Sequence, residues 1–389
     1  MFITRSAKMV VVIALVLLVP IAGMGLQSTA ALEKFHNRVL VSRPETSAFL
    51  PDPAAFFAQE RKWLADRVFP IIAASSLYDH LRLYLLQTPP QRRVTMAGDG
   101  FIFLNSGRED DLFGILQSVC IDAPSTQGVA AFRAALPKIG TLEKRLGVPI
   151  DILLFPTHET LYGDHLPGSV PKVYRDACGK RAAGESPLLA ARQPGDPMVV
   201  FPLPEMMAAR ADPAFYPKGN WHAAGLSVKL VRDAYLAQLG VRGLIAETLV
   251  PGYGPSELLM GYGIDWELPV YRIVNPGLSS NGLLAQRIGG DIARLLSIPL
   301  EAAMPQVIEN KNPMSPDRVL MLSDSFGIGT APVFAGAFRQ MIQFSTNPMP
   351  PAALPAVVRT IMAEAPVDRI VVLLEEGNVN RIVSWAAAL

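Results

Sequence analysis

The chain has 389 residues, half of them apolar, which is enough for one large or two modest cored domains. With 35 basic against 34 acidic residues and a formal net charge of +1 there is no basic stripe of the kind a nucleic-acid partner requires. Two cysteines, five scattered histidines and no Cys-x-x-Cys or His-Glu-x-x-His spacing exclude a structural zinc site of the usual kinds.

Arg5 and Lys8 precede an uncharged apolar run over residues 9–26. A positive flank before an apolar core is the secretory pattern, and the run is near the lower limit for a helix crossing a ~30 Å hydrocarbon layer. Pro20, Gly23 and Gly25 weaken its far end as a helix, and Ser28-Thr29-Ala30 offers the small residues a signal peptidase needs. Residues 1–31 therefore read as a cleaved signal peptide or a retained anchor. The basic flank places residues 32–389 on the outer side of the membrane as one folded domain.

Residues 32–52 are a polar entry segment, and residues 54–67 predict a helix with Phe56, Phe57, Trp63 and Leu64 on an apolar stripe. Residues 93–104 have strand character broken at Gly98-Asp99-Gly100. A helix is expected over 129–146, then a buried strand over 149–155. Residues 198–201 repeat the strand, followed by helices over 204–211 and 223–239. Residues 179–197, rich in Gly, Ala, Arg and Pro, read as an exposed loop. A strand over 318–323 leads to a helix over 332–342. Residues 347–355 hold four prolines and read as a connector. A last strand over 368–374 and a last helix over 379–388 close the chain. Strands alternating with helices predict a mostly parallel sheet covered on both faces. Ligands in such sheets bind beyond the carboxyl ends of strands, which directs attention to the loops after Phe155, Phe201 and Ser323. Cys120 and Cys178 either pair in an oxidising compartment or stay as two buried thiols.

Two segments carry chemistry. Ser323-Asp324-Ser325-Phe326-Gly327 follows an apolar strand and precedes a helix. A serine at such a turn meets the positive end of the helix, where backbone N–H groups can hold an oxyanion. Ser and Asp are also the preferred helix N-caps, so a capping role stands beside the nucleophilic one. In Phe215-Tyr216-Pro217-Lys218-Gly219-Asn220-Trp221-His222, His222 is a candidate general base, and Asn220 a group that orients it, as an amide does in Cys-His-Asn enzymes. A lone surface or capping histidine is the plainer alternative.

Together these residues resemble the periplasmic alginate O-acetyltransferase group of the SGNH hydrolase superfamily. The resemblance runs over most of the chain. Asn37-Arg38 with Pro44 resembles that group's opening, and residues 56–69, with Trp63 and Asp66-Arg67, its first helix. Gly98-Asp99-Gly100-Phe101-Ile102-Phe103 resembles its glycine-turn strand. Residues 155–162 with Leu166-Pro167 resemble the segment after its first parallel strand. The family's Asp-x-His and Gly-Asp-Ser-Phe motifs fall here on Asn220/His222 and on residues 323–326, with Ser323 in place of glycine and Asn220 in place of aspartate. A second alignment puts Lys218 on the aspartate and Asn220 on the histidine.

The resemblance implies a three-layer α/β/α sandwich and an O-acyltransferase, with acetyl as the group moved, that modifies exopolysaccharide hydroxyls in the periplasm or from the inner membrane. Ser325 is the implied nucleophile, His222 the base and Asn220 its orienting partner. Asp324, Phe326, Tyr216, Lys218, Trp221 and His158 are expected at the substrate, His158 on the rim. The reaction needs no metal or soluble cofactor; the implied partners are a polysaccharide acceptor and a multi-spanning membrane acyltransferase as donor. An esterase uses the same residues, and a protein that binds polysaccharide without catalysis is the rival from another class.

Overall fold

A computed structural model describes residues 40–48, 51–67, 93–107, 111–184, 186–190, 195–260 and 266–389. The expected signal or anchor over 1–31 lies outside the described residues. Among the described residues no helix is long and apolar enough to cross a membrane.

The chain forms two compact units, residues 1–91 with 255–266, and residues 92–254 with 267–389. In the first, helix α1 (Pro53–Ala65) starts where Asp52 accepts the Ala55 N–H at 3.0 Å and Pro53 supplies the fixed φ of a first turn. The guanidiniums of Arg43 and Arg67 lie 4.9 and 5.3 Å from the Trp63 ring centre. The predicted apolar stripe is only partly covered, since Phe57 and Leu64 stay exposed.

The second unit opens with an antiparallel hairpin, β1 (Val94–Met96) and β2 (Ile102–Leu104), turned at positive-φ Gly100. Helix α2 (Thr126–Leu146) begins at Ser125, whose hydroxyl accepts the Gly128 N–H at 2.9 Å, and ends at left-handed Gly147. Then come β3 (Ile150–Phe155), the short α3 (His158–Tyr162) and α4 (Lys172–Ala182). Next are β4 (Val199–Val200), α5 (Leu203–Ala209) and α6 (Leu226–Gln238). A two-stranded ribbon of β5 (Thr248–Pro255) and β6 (Glu267–Val274) is followed by β7 (Leu278–Ser280), α7 (Gly282–Leu296) and β8 (Gln306–Asn310). The chain closes through β9 (Ser315–Ser323), α8 (Phe326–Ala335), β10 (Phe338–Ser345), α9 (Leu354–Glu364), β11 (Arg369–Glu375) and α10 (Val379–Ala388).

Seven strands form one sheet in the order β4-β3-β11-β9-β10-β8-β7. The first five are mutually parallel, and β8 and β7 extend the sheet antiparallel. Every residue of β3 is buried, as are Ile370–Glu375 of β11, so both faces of the centre are covered, as parallel sheets require. Register aligns Phe155 with Glu375 and Ser323 with Leu373, which gathers the carboxyl ends of β3, β9 and β11 at one end of the sheet. That convergence positions the site.

The structure corrects two elements. The helix expected over 332–342 is instead the end of α8 followed by strand β10; Met341, Ile342 and Phe344 are buried side by side, as in a central strand, and a short apolar run does not distinguish helix from strand by its period. The loop expected over 179–197 begins as α4, where Cys178, Arg181 and Ala182 are buried. The cysteines are joined in a Cys120–Cys178 disulfide with Cα atoms 5.0 Å apart, tying a turn of π-helix (Gln117–Asp122) to α4.

Candidate active site

The turn between β9 and α8 is built around Asp324. Oδ1 of Asp324 accepts the Phe326 N–H at 2.9 Å, a bond that spans Ser325. Oδ2 accepts the Glu375 N–H and the Asn378 side-chain amide, each at 2.9 Å. Ser323 is fully buried; its hydroxyl donates to the Asp324 carbonyl at 2.9 Å and accepts from Gln343 Nε2 at 3.0 Å. That hydroxyl dictates the residue four places on, since a Cβ at Gly327 would lie 1.8 Å from it. Only glycine allows the first turn of α8 to close over Ser323.

Ser325 occupies the N-cap position of α8 but makes no capping bond with its side chain. Its Oγ lies 2.8 Å from Nε2 of His222, 103 residues earlier in the chain. Both residues are half-buried. This is the separation a general base and its hydroxyl need.

The segment that carries His222 is pinned by local contacts. The Tyr216 hydroxyl donates to the Trp221 carbonyl at 2.5 Å, and the Ile102 N–H of β2 donates to the Lys218 carbonyl at 2.8 Å. The Lys218 ammonium reaches the Asp99 carbonyl at 3.2 Å and sits 4.4 Å from the Phe101 ring centre. The Phe326 ring stands edge-on to both Trp221 and His222, at 5.6 and 4.9 Å. Gly225 ends the segment with φ +55°, and a Cβ there would lie 1.9 Å from the Tyr271 carbonyl oxygen of β6.

No family model matches the chain, and no curated protein matches it in sequence. Among solved structures the chain is similar to Bacillus cereus PatB1 with a sulfonyl adduct, at 13% identity over 74% of this chain and 97% of that one, TM-score 0.46. The O-acetyltransferase domain of Pseudomonas putida AlgJ is similar at 10% identity over 76% and 99%, TM-score 0.44. Pseudomonas aeruginosa AlgX is similar at 12% identity over 76% and 67%, TM-score 0.42. At such identities function has to be read from the site's own geometry.

The residues expected at the substrate divide sharply. Asp324, Phe326, Tyr216 and Trp221 are all buried and brace the segments that carry Ser325 and His222; Lys218 alone keeps part of its surface open. His158 is not on a rim. It is fully buried among the rings of Phe101, Phe103, Tyr162 and Tyr216 at 5.0–5.7 Å, with neither ring nitrogen hydrogen-bonded. Burial, with His165 nearby, pushes its imidazole down to about 3, so it is neutral. Such a ring offers a polysaccharide no surface. Asn220 is half-buried, and its backbone N–H donates to the Pro217 carbonyl at 3.0 Å.

Glu375 and Glu376 form an adjacent acidic pair at the end of β11. Both are buried. Burial, and then the charge of Asp324, pushes the Glu375 carboxyl up to about 8. Glu376 forms a buried ion pair with Arg181 and accepts the Thr157 N–H at 3.0 Å. Glu159 is fully buried with neither oxygen in hydrogen-bond geometry, and burial pushes it up to about 8. The adjacent acidic pair after an apolar strand was the available signal, but a surface turn has the same sequence. Among the described residues no group of His, Cys, Asp or Glu is arranged to hold a metal.

Proposed function

We propose that this chain is a serine-dependent O-acyltransferase with an SGNH-hydrolase-like three-layer fold, acting outside the cytoplasm on hydroxyls of an exopolysaccharide, with acetyl as the transferred group. The observation that carries the reading is the 2.8 Å contact between His222 Nε2 and Ser325 Oγ. A helix cap has no use for an imidazole brought from a distant segment, whereas a nucleophile does.

Ser325 Oγ attacks the acyl carbonyl of the donor while His222 Nε2 takes its proton, then passes that proton to the leaving group. In the second half His222 removes a proton from a sugar hydroxyl, which attacks the acyl-serine ester, and Ser325 recovers its proton. The Ser325 N–H at the positive end of α8 faces the developing oxyanion. The Phe326 N–H is already taken by Asp324 Oδ1. Asn220 orients the imidazole. A membrane-embedded acyltransferase supplies the acyl group, because acetyl-CoA is cytoplasmic. The Cys120–Cys178 disulfide supports an oxidising compartment, where residues 32–389 would work as a soluble or tethered domain.

Asn220 standing where a carboxylate is expected favours a second reading, a protein that keeps the fold and binds polysaccharide without acyl transfer. A fluorophosphonate probe separates the two. Labelling confined to Ser325, together with acetyl transfer from an activated ester to a sugar oligomer, is the expected result; acetate release without transfer identifies an esterase. A folded protein that takes up no probe and transfers no acetyl leaves the binding reading in its place.

A further inference from the structure

Asp324 is the keystone of the nucleophile turn, and what holds it comes from the other strand end. The bond from the Phe326 N–H to Oδ1 closes a small ring around Ser325, so any tilt of the Asp324 carboxylate swings the serine. The remaining oxygen is held by the Glu375 N–H and by Asn378 Nδ2. Both belong to the turn that ends β11, and that turn is itself clamped. The Gly377 N–H donates to Glu375 Oε2 and the Ser118 hydroxyl to the Gly377 carbonyl, each at 2.7 Å. Glu376 is fixed by Thr157 and Arg181. A Cβ at Gly377 would lie 2.9 Å from both the Ser118 hydroxyl and Val119, so the turn has no room to drift.

We propose that Asn378 is a positioning residue for Ser325, acting through Asp324 to set the distance between Ser325 Oγ and His222. This rests on the acyl-transfer reading and deepens it. Asn378 is the one side-chain donor in the set; the other two are backbone groups that no substitution removes. Its loss leaves a buried carboxylate oxygen short of a donor beside a second carboxyl, Glu375, which faces Asp324, Glu159 and Arg381. Asp324 then relieves itself by moving, and Ser325 moves with it.

The test follows fluorophosphonate labelling and acetyl transfer in the full chain across pH. Asn378→Ala should slow both by about tenfold, the scale of one lost bond to a charged group, through kcat with KM nearly unchanged. Asn378→Ser, which keeps a donor, should recover part of the rate at an unchanged Tm, which separates positioning from loss of fold. Asn378→Asp should be as slow as alanine at alkaline pH and regain ground against wild type as the pH falls and the new carboxyl becomes a donor. In the background of Asp324→Asn, Asn378→Ala should cost little more, because coupled groups are not additive. Wild-type rates in Asn378→Ala, or effects that multiply with Asp324→Asn, would overturn the proposal while leaving the enzyme reading intact. Failure of wild type to label or transfer would instead remove the reading and the proposal with it.

Discussion

The two partners of the Ser325–His222 contact are held in different ways. Ser325 sits at the carboxyl end of a strand buried in a parallel sheet, and its turn is fixed by bonds to Asp324 from the Phe326 N–H and from the end of the neighbouring strand β11. His222 sits on an irregular segment between α5 and α6, held by contacts that include the Tyr216 hydroxyl, Lys218 and a backbone bond to the β1–β2 hairpin. Ser325 is thus placed by the sheet, and His222 by a loop docked onto it. Loops are where variation is tolerated, so departures from the motifs the chain resembles are expected on the His222 side. That is where Asn220 and Lys218 occur.

The largest effect should come from breaking the pair itself. Ser325→Ala is expected to lower acyl transfer by about 10⁴-fold or more, and His222→Ala by nearly as much. The double variant should be no slower than Ser325→Ala alone, since members of one catalytic unit do not act additively. If His222→Ala keeps most of the activity, the 2.8 Å contact is a packing accident and the loop contributes nothing to the chemistry.

The same difference decides what the sequence disclosed. The place of Ser325 at a strand-to-helix turn was legible because an unbroken apolar run, Val319 to Leu322, ends at a serine–aspartate turn with glycine following, and each of those features has a local cause. His222 was legible only as one of two alignments, and nothing local could place it against Ser325, since that contact spans 103 residues. Buried roles were the least visible. Tyr216, Trp221, Phe326 and His158 are residue types common at sugar-binding surfaces, and only the tertiary structure shows them turned inward. Strand β10 was misread because a short apolar run carries no period that separates strand from helix, and the ribbon β5–β6, α7 and β8 left no firm signal.

A smaller effect should come from unfastening the nucleophile side at a distance. The disulfide joins the π-turn that carries Ser118 to the helix that carries Arg181, and both grip the turn beneath Asp324. It closes a loop with a sequence separation of 58, for which loop-closure entropy gives about 4 kcal/mol. The Cys120→Ala/Cys178→Ala protein should lose about 3–4 kcal/mol in urea unfolding. An unchanged midpoint for that variant, or for wild type under reductant, would show that the disulfide does not brace the fold.

The smallest effect, and the one that sharpens the comparison most, is on the base side. If the loop holds His222 with an amide where a carboxylate performs better, the site is limited there and not at Ser325. A carboxylate at position 220 both fixes the tautomer with Nε2 free to accept and stabilises the imidazolium formed as Ser325 is deprotonated. Loss of such a group costs far more in a serine protease triad, but there the rest of the site is built around it. Here the loop carries asparagine, so Asn220→Asp should return only about tenfold in kcat, or ~1.4 kcal/mol. It should also move the acidic limb of the rate–pH profile to higher pH, because a carboxylate favours the protonated ring. The nucleophile turn should be indifferent, with fluorophosphonate labelling still dependent on Asn378. A variant with unchanged turnover and an unchanged pH profile would mean that Asn220 does not touch the imidazole, and that the orienting group for His222 lies elsewhere in the chain.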